Sequence, residues 1–143
     1  IDLLKVDQDN ANVTFNLNLH RGLTPINVDP NAISQVLINL MQNAVQATQK
    51  AGEVSVITRL GLCIGPPHQG QPAAVIEVKD TGTGILKANR DKIFIPFYTS
   101  KANGTGLGLP ISHRLIEAHD GDLILKSSGS TGSTFQIRLP ILF

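Results

Sequence analysis

The sequence predicts an α/β (α+β) two-layer sandwich, with a mixed, mostly antiparallel sheet and helices on one face. Three observations carry this. Segments with apolar residues at every second position are interleaved with segments at helical spacing. Their order along the chain is strand, helix, two or three strands, a small-residue loop, helix and two closing strands. No repeat, low-complexity tail or composition shift divides the 143 residues, so residues 1–143 read as one domain, large enough to bury a core without disulfides or metal staples.

Val13, Phe15, Leu17 and Leu19 alternate with Thr14, Asn16, Asn18 and His20, the pattern of a half-buried strand with His20 on its polar side. A turn follows from Gly22 to Asn27, and Asp29-Pro30 then starts a helix, Asp as N-cap and Pro as first helical residue. That helix runs to about Thr48, with Ile33, Val36, Leu37, Leu40, Ala44 and Ala47 on the face toward the sheet. Its other side is a stripe of amides, Gln35, Asn39, Gln42, Asn43 and Gln46, and no charged residue lies between Asn31 and Gln49. A solvated face is usually built from Lys and Glu, whereas Asn costs up to about 0.7 kcal/mol against Ala in a helix interior. Residues at i and i+4 point the same way, so the stripe suits a ligand, with a face covered by another part of the full-length protein as the alternative.

Gly52 reads as the C-cap of this helix. Val54 to Ile64 and Ala73 to Val78 are strands joined across the Gly65–Pro72 loop, in which His68 is expected to face solvent. The second of them delivers Asp80 to its carboxyl end. Leu86 to Lys92 reads as a short helix, Ile93 to Tyr98 as a hydrophobic anchor, and Thr99 to Thr105 as a lid of small polar residues. A helix over Leu107 to His119 has Pro110 in its first turn and His113 and His119 on its exposed side. After the Asp120-Gly121 turn, Leu123 to Ser127 and Thr134 to Leu139 form a hairpin with Phe135, Ile137 and Leu139 inward.

Composition excludes several classes. The 12 Lys and Arg against 11 Asp and Glu leave no basic surface for nucleic acid and no basic amphipathic run for a membrane. No apolar run approaches the roughly 20 residues of a membrane-spanning helix. The sole cysteine, Cys63, sits in an apolar run and reads as a buried thiol in a reducing cytoplasm. The start at Ile1 rather than Met reads as a piece of a longer chain.

Two glycine turns of like spacing, Asp80-Thr81-Gly82-Thr83-Gly84-Ile85 and Gly104-Thr105-Gly106-Leu107-Gly108-Leu109, flank the aromatic segment. Such turns let backbone approach a ligand and together suit the two ends of an elongated anion, with a purine nucleotide as first candidate. Asp80 offers acceptors to an exocyclic amine, which adenine has and guanine lacks at that edge. The helix beginning near Leu107 aims its free N–H groups at phosphates. The Asn43 carboxamide oxygen can take one place around Mg²⁺, and Lys101 can screen the outer phosphate, a solvated lysine being the alternative. There is no Gly-Lys-Ser/Thr phosphate loop, no dinucleotide fingerprint and no catalytic loop of Ser/Thr protein kinases.

Four segments, in order, resemble the boxes of two-component sensor histidine kinases. QVLINLMQNAVQA is similar to the N box, DTGTGI to the first glycine box, IFIPFYTSK to the phenylalanine box and GTGLGLPIS to the second glycine box, while GDLILKSSGSTGSTFQIRLP resembles the closing strands. The resemblance spans about Val13 to Pro140. It implies the Bergerat ATP-binding fold, with ATP and Mg²⁺ as cofactors, a histidine phosphoacceptor and dimerisation domain as partner, a response regulator downstream and a cytoplasmic setting. On this carry-over Asn43 is the Mg²⁺ ligand and Asp80 the adenine-reading carboxylate. Gly82, Gly84 and Ile85 form the base pocket, Gly104, Thr105, Gly106, Leu107, Gly108 and Leu109 the phosphate-binding lid hinge, and Ser133 a water-mediated adenine contact. Asn39, Asn43 and Lys101 stand at the positions assigned to catalysis.

This chain departs from the pattern in three places. Hydrolases of the fold carry Glu one helical turn before the Mg²⁺ asparagine; Asn39 stands there and cannot take a proton, which disfavours hydrolysis but not transfer to a neutral imidazole. Gln46 occupies a position where many members have Lys or Arg. His20, His68, His113 and His119 precede Arg, Gln, Arg and Asp, so none sits in a His-Glu phosphoacceptor pattern, and that domain is expected upstream of Ile1. A Bergerat-fold ATPase, an anti-sigma-type Ser/Thr kinase and a non-catalytic nucleotide-binding docking module stay open as alternatives.

Overall fold

The structure, a computed structural model, describes residues 13–23, 25–48, 51–98 and 107–141. Its elements are β1 (Val13–Asn18), α1 (Pro30–Ala47), β2 (Gly52–Leu62), β3 (Pro72–Asp80), a 3-10 helix (Lys87–Lys92), α2 (Gly108–Glu117), β4 (Asp122–Gly129) and β5 (Gly132–Pro140). The sheet order is β1-β2-β3-β5-β4. β1 runs parallel to β2 and every other pairing is antiparallel, so the sheet is mixed as expected.

The start of α1 follows the sequence signal. Asp29 is extended at φ −75°, ψ 112°, and its Oδ1 accepts from the N–H groups of Asn31 (2.9 Å) and Ala32 (3.4 Å), with Pro30 beginning the helix. The end corrects it. Thr48, not Gly52, closes α1: its hydroxyl donates to the Ala44 carbonyl at 2.8 Å and its N–H to the carbonyls of Ala44 and Val45. Gly52 instead opens β2, opposite Val13.

The buried side of α1 is Ala32, Val36, Leu40, Met41, Ala44 and Val45. This is rotated from the predicted face, since Ala47 is only half-buried. The core lies between that side, α2 through Ile116, and the inner sheet residues Val54, Val78, Phe135, Ile137 and Leu139. Burial of this apolar surface drives the packing of the two layers.

The opposite sheet face carries a polar network centred on buried Glu77 of β3. Its Oε2 accepts from Lys126 Nζ (2.8 Å) and Gln136 Nε2 (3.3 Å), and its Oε1 from Arg59 Nη2 (3.3 Å). Burial raises the Glu77 pKa, but the hydrogen bonds from Lys126 and Gln136 and the charges of Lys126 and Arg59 outweigh it and hold it below the ordinary carboxylate value. Cys63 is buried as expected, and its thiol pKa is raised by burial and by the Asp122 charge, with Arg138 pulling the other way.

Two histidines are less free than the sequence suggested. His119 Nδ1 donates to the Leu115 carbonyl (2.7 Å), and Nε2 accepts from the Asp29 N–H (3.0 Å), which ties the end of α2 to the cap of α1. His68 is half-buried, 3.3 Å from Asp120. The Ile93–Tyr98 anchor is also only half right: Ile93 is buried and Phe94 lies 5.0 Å from the His113 ring, but Phe97 is 74% exposed at φ 68°.

Candidate functional site

β3 ends at Asp80, and strand alternation turns its carboxylate to the same face as Val78 and Ile76, toward the helices. Asp80 is only 3% exposed. A buried carboxylate needs donors, and backbone supplies them: Oδ1 accepts from the N–H of Gly82 (2.8 Å) and of Ser133 (3.2 Å).

The surrounding turns pack main chain to main chain. A Cβ on Gly82 would strike the Ala47 carbonyl of α1, one on Gly84 the Gly129 carbonyl, and one on Gly132 the Asp80 carbonyl. Gly84 also has φ +77°, which L side chains rarely adopt. These contacts join the end of α1, the DTGTG turn and the β4–β5 hairpin around one carboxylate. Thr81 adds a tie to β2, its N–H donating to the Glu53 carbonyl (3.1 Å) and its Oγ1 accepting from the Glu53 N–H (2.9 Å).

Asn39, Asn43 and Ala47 form one i, i+4 row along α1. Asn39 Nδ2 donates to Ser112 Oγ (3.1 Å) and to the Gly108 carbonyl (3.4 Å), so this end of the row holds the first turn of α2. Ala47 abuts Gly82 at the other end. Half-buried Asn43 therefore lies on the line between the α2 N-terminus and the Asp80 turn. Leu107 stands at the N-cap of α2, and Pro110 sits in its first turn as expected. An open depression of about 320 Å³ adjoins the turn between Ala47, Gly82, Thr83 and Ser130.

Of the residues singled out by sequence, the structure bonds Asp80, Gly82 and Ser133 directly and joins Asn39 to Gly108. Leu109 and Ile85 pack against the core. Lys101, Gly104, Thr105 and Gly106 lie outside the described residues. Sequence reasoning missed Ser128 and Arg90: Ser128 Oγ accepts from the Ile85 N–H at 2.7 Å, and Arg90 bridges the Ile85 and Ser128 carbonyls. Nothing in their local sequence marks them, because they meet Ile85 only in three dimensions.

The donor chemistry sorts the cofactors that would fit. A buried acceptor beside glycine-lined backbone suits a flat base bearing an amine. Among the described residues no three His, Cys, Asp or Glu side chains cluster to hold a metal. A Mg²⁺ ion would fit the described residues as the guest of a polyphosphate, for which the Asn43 carboxamide is a candidate ligand.

Residues 28–142 match the family described as histidine kinase-, DNA gyrase B- and HSP90-like ATPases, and the chain belongs to that family. Its curated relatives include signal-transduction and sensor histidine kinases. The chain is 40% identical over 131 residues to the signal transduction histidine-protein kinase AtoS of Escherichia coli (strain K12), covering 92% of this chain and 20% of that protein. It is 34% identical over 141 residues to sporulation kinase E of Bacillus subtilis (strain 168), covering 99% of this chain and 18% of that protein. The chain thus spans about a fifth of the length of these relatives. Among solved structures it matches the nucleotide-free catalytic domain of histidine kinase ThkA, with TM-score 0.78 and 29% identity over 96% of this chain and 85% of that one. It also matches full-length ShkA in complex with AMPPNP, with TM-score 0.77 and 26% identity over 97% of this chain and 28% of that one. Among the described residues no helix is long and apolar enough to cross a membrane.

Proposed function

We propose that this chain binds Mg²⁺-ATP and donates the γ-phosphoryl group to a histidine on a separate helical phosphoacceptor and dimerisation domain of the same protein. A response regulator would take the phosphoryl group next, in the cytoplasm. The observation that supports this most is the Asp80 carboxylate, buried and held by two backbone N–H groups where three glycines let α1, the turn and the hairpin converge. Asp80, Gly82, Gly84 and Ser133 take the adenine. Gly104, Gly106 and Lys101 are assigned by sequence to the phosphates, with the N-terminus of α2 adding its dipole.

Catalysis in this reading is positioning plus charge neutralisation. Asn43 would hold Mg²⁺, which neutralises phosphate oxygens when bound. Asn39 provides no base, and its amide is already committed to Ser112 and Gly108. Transfer to a neutral imidazole requires none, because the ring nitrogen's lone pair attacks directly.

The test mixes the chain with Mg²⁺-ATP and the matching phosphoacceptor domain. We expect an acid-labile, base-stable phosphoryl group on the acceptor and negligible phosphate release by the chain alone. Asp80→Asn should lose ATP binding in a calorimetric titration, and Asn43→Ala should lose its dependence on Mg²⁺. Two variants that bind like the parent would refute these assignments.

A further inference from the structure

A chain of hydrogen bonds leads away from Asp80 through residues outside the glycine motifs. Ser133 N–H donates to Asp80 Oδ1 (3.2 Å), and Ser133 Oγ is 2.7 Å from Ser128 Oγ. Ser128 Oγ accepts from the Ile85 N–H (2.7 Å). Arg90 then clamps both ends of that last contact, Nε donating to the Ile85 carbonyl (3.1 Å) and Nη2 to the Ser128 carbonyl (2.7 Å). A guanidinium spans two carbonyls with one rigid fork, which an ammonium does not.

Counting hydrogens favours one direction for the chain of bonds. A backbone N–H only donates, so Ile85 occupies a lone pair of Ser128 Oγ, and the single Ser128 hydroxyl hydrogen needs another acceptor. Among the described residues the other partner of Ser128 Oγ is Ser133 Oγ. Either hydroxyl can donate in this contact, and Ser128 as the donor is the direction that keeps its hydrogen on a protein acceptor. The reverse direction would leave the Ser128 hydrogen to solvent, which this half-buried hydroxyl can reach. With Ser128 as donor, the hydrogen of Ser133, itself buried, is left to be donated away from Ser128, beside the Asp80 carboxylate.

We propose that Ser128, held by Arg90, is a positioning and specificity-determining residue that fixes the Ser133 hydroxyl as a donor. An acceptor at Asp80 next to a donor at Ser133 reads a purine with an amine at C6 and a bare N1, directly or across one water. Adenine matches. Hypoxanthine, with a carbonyl at C6 and a hydrogen on N1, mismatches both groups. The inference rests on the adenine reading of the Asp80 site, and Ser128 acts on the ligand only through Ser133.

The experiment titrates the parent chain, Ser128→Ala, Ser128→Thr and Arg90→Lys with Mg²⁺-ATP and Mg²⁺-ITP by calorimetry, and follows amide hydrogen exchange without nucleotide. Ser128→Ala should cut the ATP-to-ITP affinity ratio roughly three- to tenfold, the worth of one oriented hydrogen bond, chiefly by weakening ATP. Ser128→Thr should restore the ratio, and Arg90→Lys should fall between. The Ile85 amide should exchange faster in unliganded Ser128→Ala. Equal weakening of both nucleotides, or an unchanged ratio, overturns the relay while leaving the adenine site standing. A parent chain that shows no preference for ATP overturns the adenine reading itself.

Discussion

Replacing Glu77 by Gln isolates the charge of the network on the outer sheet face while nearly preserving shape. In the parent, the Glu77 side chain is 8% exposed, whereas those of Arg59 and Lys126 are 39% and 47% exposed. Breaking a fully buried ion pair costs about 3–5 kcal/mol, and an exposed one about 0–1 kcal/mol. Here the two cations can turn to water once the carboxylate is gone, so the loss should lie between, about 1–3 kcal/mol. At this chain length that corresponds to a fall in Tm of about 2–4 °C for each kcal/mol. The pH dependence gives the sharper test. The folded pKa of Glu77 lies below its unfolded value, so the carboxylate's contribution is complete above the unfolded pKa and is lost as pH falls through the folded one. Thermal melts of parent and Glu77→Gln should therefore differ most near pH 7 and converge in acid. A difference that is the same at pH 7 and pH 3, or absent at both, would refute the ionic account of this network.

Two further outcomes follow from the site's packing. Gly82→Ala places a methyl group against the Ala47 carbonyl, so it should cost about 1–3 kcal/mol in urea unfolding and weaken ATP binding at a temperature where the variant is still folded. Asn39→Ala removes two hydrogen bonds to α2, one to the Gly108 carbonyl in its first turn and one to Ser112, but gains about 0.7 kcal/mol of helix propensity. Its Tm should therefore move little, while amide exchange in that first turn accelerates.

The parts legible in the sequence were those whose cause is local. The Asp29-Pro30 cap and Pro110 in the first turn of α2 depend on neighbouring residues and stand as read. The alternation of β1 holds only for Val13 and Phe15, since Leu17 and Leu19 are 47% and 52% exposed and the strand ends at Asn18. The end of α1 was misplaced because the Thr48 hydroxyl reaches back to Ala44, an alternative to a glycine cap that composition does not distinguish. Met41 and Val45 are buried, while Ala47, on the predicted face, contacts a glycine instead. Asp80 and its glycines were visible as a motif. Ser133 was named by the resemblance, but Ser128 of β4 and Arg90 of the 3-10 helix were not, since only tertiary packing brings them to this place. The Glu77 network, assembled from four strands, had no signature at all.

The close approach of Gly82, Gly84 and Gly132 to three carbonyls means that the floor of this site is peptide rather than side chain. An inhibitor seated against that floor would grip atoms that no codon change deletes. Resistance would have to arise at the rim, at positions such as Thr83 or Ser130, or by enlarging a glycine at the expense of the fold. Compounds that spend their polar contacts on the peptide groups there should keep their potency longest against a mutating population.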